Sequence, residues 1–174
     1  MKRWVRRIIG IVLTLAIVTP TYARNEEYAR AVGQQALEVD NVEVYEDENE
    51  SMVSAMPRGM LISMCALQIS NEGKGVVGVY ADTLCHTPMG QITMKIYLDV
   101  LEPGEEDWYT FDTYEYIWNT EDYVSDLTKV TVSFDLTNMD RSFEYRLRCN
   151  HLVYNLDRSY REMMSTYTSF ISLS

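Results

Sequence analysis

Apolar residues recur at every second position over long stretches of this chain, and that spacing restricts the fold more than any other feature. From Gln91 to Val100, Ile92, Met94, Ile96, Leu98 and Val100 alternate with Thr93, Lys95 and Asp99. Near the C-terminus Phe143, Tyr145, Leu147, Cys149 and Val153 alternate with Glu144, Arg146, Arg148 and Asn150. Successive side chains of an extended strand point to opposite faces, so a period of two makes one apolar and one polar face. Each such strand needs a second layer against which to bury its apolar face.

Further strands read as Met60–Ser70, Val76–Leu84, Trp108–Trp118, Leu127–Leu136 and 160–172. Turn residues separate them: Asn71-Glu72-Gly73-Lys74-Gly75, Glu102-Pro103-Gly104-Glu105-Glu106-Asp107 and Asn138-Met139-Asp140. Seven short strands at regular spacing over 57–174 predict an all-β domain, an immunoglobulin- or fibronectin-III-like antiparallel β-sandwich. A closed barrel is the rival architecture.

The N-terminus has a different character. Lys2, Arg3, Arg6 and Arg7 precede an apolar run from Ile8 to Val18, then Pro20 and Thr21-Tyr22-Ala23. This is the layout of a secretory signal peptide spanning 1–23. The apolar run would extend roughly 16 Å as a helix, about half a bilayer core, so cleavage is expected rather than anchoring. The expected product is secreted, with no stable membrane anchor. Residues 24–56 hold nine acidic and two basic residues and include Glu46-Asp47-Glu48-Asn49-Glu50. Such a like-charged run is expected to be a disordered spacer or propeptide. It lacks the spaced Asp/Asn pattern and glycine of an EF-hand calcium loop.

The whole chain carries 15 Lys+Arg against 26 Asp+Glu, a net charge of −11. Loss of the four basic leader residues would deepen that to −15. An acidic surface repels phosphate backbones, so nucleic acid is excluded as a partner.

Export would place Cys65, Cys85 and Cys149 in an oxidising compartment, where three thiols allow at most one internal disulfide. All three share the apolar parity of their strands, so parity does not select a pair. Cys85–Cys149 is the expected bridge, with Cys65 left as the free thiol; the alternative is three buried thiols that act as small apolar residues.

Two resemblances emerge from the order of these segments. Tyr145-Arg146-Leu147-Arg148-Cys149-Asn150 and its Ser/Thr-rich sequel resemble the last strands of fibronectin type III and related immunoglobulin-like sandwiches. The Pro57-Arg58-Gly59 start and the Asn-x-Gly-x-Gly turn before a Val-rich strand belong to a second, longer pattern. It continues through the ladder ending Leu101-Glu102, the Trp108 strand and the Tyr-Arg-Leu-Arg segment followed by His151. Together these resemble a family of small uncharacterised secreted proteins of Clostridia and related Gram-positive bacteria. That resemblance implies export and a β-sandwich but no agreed activity. Cys85 and Cys149 stand where its pattern expects small residues, so a bridge there would be an added staple.

Catalytic signals are sparse. His86 and His151 are the only histidines. His151 has core parity and reads as a packing residue with satisfied nitrogens; His86 reads as an exposed loop residue. The chain contains no Gly-x-Ser-x-Gly elbow, phosphate loop or His-Glu-x-x-His motif. No cofactor, metal or catalytic residue is expected. Aromatic residues are denser: Trp108, Tyr114, Tyr116 and Trp118 share even positions of one strand, with Tyr109 and Phe111 on odd ones. The even set is the candidate binding face, for sugar rings or a protein surface, against the alternative that it caps the core. The expected function is a secreted, non-enzymatic binding module for an extracellular protein or glycan. A small carbohydrate-active enzyme and a structural surface protein are the competing classes.

Overall fold

The computed structural model describes residues 39–173. The expected signal peptide, 1–23, and positions 24–38 of the acidic segment lie outside the described residues. Ten strands follow in order: β1 Val39–Glu46, β2 Glu50–Pro57, β3 Ile62–Gly73, β4 Val76–Cys85, β5 Met89–Leu101, β6 Tyr109–Asn119, β7 Lys129–Leu136, β8 Glu144–Asn155, β9 Arg161–Tyr167 and β10 Ile171–Ser172. One antiparallel sheet has the order β1-β2-β3-β4-β7, and the other has β10-β8-β5-β6 with β9 also on β8. The strands β3-β4-β7 facing β9-β8-β5-β6 make the immunoglobulin-like sandwich expected from the alternation.

Two further details fit that architecture. Tyr145, at the start of β8, donates its hydroxyl to the Asp140 carbonyl at 2.8 Å, the tyrosine corner of such sandwiches. The β3–β4 hairpin closes through Lys74 and Gly75, both at positive φ (56° and 75°). That backbone matches the right-handed twist of the paired strands.

The inward residues of the two sheets meet as the sequence periodicity requires. Ile62, Leu67 and Ile69 of one sheet and Ile92, Met94 and Ile96 of the other are fully buried. The two sheets do not close into a barrel, because among the described residues each keeps free edges.

The acidic segment departs from expectation. Its part 39–56 is not a disordered spacer: it forms β1 and most of β2, which extend the first sheet. Pairing of Glu50–Ala55 with Ser70–Cys65 supplies the backbone partners. The inward side chains of β2 are small, Ser51, Val53 and Ala55, and all are buried. Small residues gave little apolar signal, while the charges gather in the hairpin turn. There Asp47 accepts from the Asn49 amide at 2.8 Å, and that bond, with a second from Tyr45, holds its carboxyl below the usual range. The expected 160–172 strand is also divided. Thr168 interrupts it by accepting the Leu147 amide on its hydroxyl at 2.9 Å, and β9 and β10 pair β8 on either side of the break.

A buried carboxylate fastens the start of β3. Glu162 of β9 is 1% exposed. Its Oε1 accepts the Met60 amide at 2.7 Å, and its Oε2 accepts those of Leu61 and Ile62 at 2.8 and 3.0 Å. Three donors that precede or open a strand are thereby satisfied by one side chain.

Candidate functional site

The β6 strand carries the four predicted binding residues or borders them, and the structure separates them. Leu98 pairs with Asp112, but the next β5 residue, Asp99, pairs with Thr110. Phe111 is thus an extra residue in the ladder, a β-bulge. One inserted residue reverses the parity of everything before it. Tyr114, Tyr116 and Trp118 pair with Ile96, Met94 and Ile92 on the inward face. Trp108 instead lies on the outer side, with the Arg146 guanidinium 4.3 Å from its ring centre and Phe170 6.1 Å away.

Tyr114, Tyr116 and Trp118 are half-buried and pack against the core. They close the gap between the free edges of the two sheets. Tyr114 lies 4.9 Å and Tyr116 6.3 Å from Phe134 of β7, and Tyr116 stacks on Trp118 at 5.9 Å. Burial, followed by the adjacent Asp112 carboxylate, pushes the Tyr114 hydroxyl up to about 12. The four residues therefore do not form one exposed aromatic face, and three of them serve as a lateral seal.

What β6 does expose is different. It pairs with β5 alone, so its second edge has no strand partner among the described residues. Phe111 is 56% and Ile117 55% exposed, and they flank Thr113 and Glu115, which are also exposed. An 11-residue edge strand with apolar side chains at both ends offers main-chain donors and acceptors in a row. The bulge at Phe111 and the inward parity of Asp112 interrupt its N-terminal part, as edge strands commonly do. From Thr113 to Ile117 the edge has neither device.

The outer face beside this edge holds an ion network centred on Asp99. Asp99, outward on β5 yet 2% exposed, accepts from Arg148 Nε at 2.6 Å and Arg148 Nη2 at 2.9 Å. Thr110 donates to it at 2.9 Å, and Arg146 lies 3.4 Å away. Burial would raise the Asp99 carboxyl, but the Arg148 contacts outweigh it and the net direction is down. The Arg148 guanidinium also covers the Tyr97 ring at 4.7 Å. Two cations thus share one buried carboxylate on this face.

His151 is fully buried, as its parity suggested. Its Nδ1 meets the Thr83 hydroxyl at 2.7 Å across the core, and its Nε2 meets Thr166 at 2.9 Å. Burial lowers its pKa to about 3, which keeps the ring neutral. His86 is exposed just past the end of β4, whereas His151 is sealed in the core. The two histidines are not brought together.

The expected Cys85–Cys149 bridge is not formed: Cys65, Cys85 and Cys149 are all free and buried. Cys85 ends β4 opposite Ile62, where its charged neighbour is Glu162. Cys149 lies mid-strand in β8 opposite Ile96. Burial pushes the Cys85 thiol up to about 12 and Cys149 higher still, so neither is an activated nucleophile. Among the described residues no group of three or more His, Cys, Asp or Glu is arranged to hold a metal ion.

No family model matches the chain, and no curated protein is significantly similar to it.

Proposed function

We propose that the protein is a secreted, non-enzymatic binding module, related to the small secreted Gram-positive proteins its sequence resembles, and that it holds an extracellular protein along β6. The observation that supports this reading is the free edge from Thr113 to Ile117 with exposed Phe111 and Ile117 at its ends. A partner strand laid there would gain main-chain hydrogen bonds, and its alternate side chains would meet the two apolar residues. Thr110 of β6 is tied to the Asp99–Arg148 pair by two hydrogen bonds, and such preorganisation lowers the ordering cost of binding.

The same free edge favours a second reading, a structural surface protein whose copies join edge to edge. One experiment separates the two. Wild-type protein and a Phe111→Ser/Ile117→Lys variant are tested on arrays of extracellular proteins and glycans, and by sedimentation velocity. Binding to a protein spot that falls at least about tenfold in the variant supports the module. A concentration-dependent dimer abolished by the same substitutions supports the structural protein. Absence of binding, or binding equal in both forms, refutes the β6 module.

A further inference from the structure

We propose that Cys65 and Cys149 are a disulfide-forming pair that can staple the two sheets together, with Cys85 remaining a thiol. This is independent of what β6 binds. The geometry that carries it is the meeting of β3 and β8 across the core, whose Cα atoms come within 8 Å of one another. Cys65 is the register partner of Thr83, and Thr83 reaches His151 of β8 at 2.7 Å. Cys149 stands two residues before His151 on the same inward face. Both cysteines are fully buried, so their side chains occupy the layer between the sheets. Cys149 is also the strongest charged-state neighbour of Cys65, ahead of Cys85.

Cys85 is a poorer partner for Cys65. It shares a sheet with Cys65 but pairs with Ile62, on a diagonal from Cys65 and across a register shift. Diagonal neighbours on adjacent strands are about 7–8 Å apart, beyond the usual Cα separation of a disulfide.

Access decides when the bond forms. In the folded chain both thiols are sealed and protonated, so a soluble oxidant does not reach them. The reaction belongs to folding in the presence of a small disulfide such as oxidised glutathione. The Cys149 thiolate displaces one glutathione thiolate and forms a mixed disulfide. The Cys65 thiol, losing its proton to solvent, then attacks the Cys149 sulfur and releases the second glutathione. Two protein thiols and one oxidised glutathione become one protein disulfide and two reduced glutathiones.

The test is refolding of the full chain in a glutathione redox buffer, followed by thiol counting, peptide mapping and far-UV circular dichroism. The expected result is one remaining thiol, at Cys85, and a peptide joining Cys65 to Cys149. Cys85→Ser should still lose both of its thiols, while Cys65→Ser should refold with two thiols intact. Three free thiols in refolded wild type, or a bridge containing Cys85, overturns the proposal. The wild-type thiol count and peptide map alone decide the outcome, so it does not depend on a core variant folding.

Discussion

Glu162 makes the sharpest claim on stability. Replacing it with Gln keeps the size of the side chain and removes its charge. The amide oxygen can take the place of Oε2 and still accept from the buried Leu61 and Ile62 amides. The amide NH2 then occupies the place of Oε1 and faces the Met60 N–H, donor against donor. Met60 is 69% exposed, so its amide can turn to water at small cost. Hydrogen bonds to a charged acceptor contribute ~1.5–3 kcal/mol, roughly twice a neutral one. Weakening two bonds and losing a third gives about 2–3 kcal/mol for Glu162→Gln. Glu162→Ala instead orphans two buried donors at ~1–3 kcal/mol each and leaves a void, about 4–6 kcal/mol in all. A domain of this size has a total stability of roughly 5–15 kcal/mol, so the Ala variant should be close to unfolding. Urea denaturation followed by tryptophan fluorescence measures both. A Gln variant within about 0.5 kcal/mol of wild type, or equal costs for Gln and Ala, would refute the role assigned to the carboxylate.

Two other groups give distinct signatures. His151 has a folded pKa of about 3 against an ordinary 6.5, so the unfolded chain binds a proton that the folded chain refuses. Its contribution is present in full above pH 6.5 and is lost on acidification toward pH 3, at up to ~1.4 kcal/mol per pH unit. His151→Gln should flatten this part of the stability–pH curve, and superimposable slopes for the two proteins would contradict it. Arg148→Ala should cost about 3 kcal/mol by leaving the buried Asp99 carboxylate short of its main partner. A double-mutant cycle with Asp99→Asn should recover part of that loss, and strict additivity would show that the pair is not coupled.

Much of the fold was legible because strand periodicity is local. Ile92 to Val100 and Tyr145 to Val153 announce their inward faces without reference to any neighbour, and His151 follows from the same parity. The β1–β2 hairpin was hidden because its inward residues, Ser51, Val53 and Ala55, are small while its turn is crowded with acids. Its strands are held by pairing with β3 rather than by their own apolar content. The division of the aromatic residues was hidden for a different reason. Counting by twos from Trp108 to Trp118 assumes an unbroken ladder, and the extra residue at Phe111 exists only in relation to β5. Glu162 and Asp99 gave no signal at all: an acidic residue with outward or mixed parity looks solvated until three amides or two arginines are found around it.

The sequence alone determined that the chain must build apolar-faced strands, packed as a sandwich or closed as a barrel, because a period of two puts alternate side chains on one face that has to be buried. The tertiary structure decided where the sheets end and what their edges expose. It divided the aromatic residues of the 108–118 segment between a seal against Phe134, a stack on Arg146 and an open edge at Phe111 and Ile117. Pairing register and the approach of β3 to β8 are relations between distant segments, and no local pattern records them.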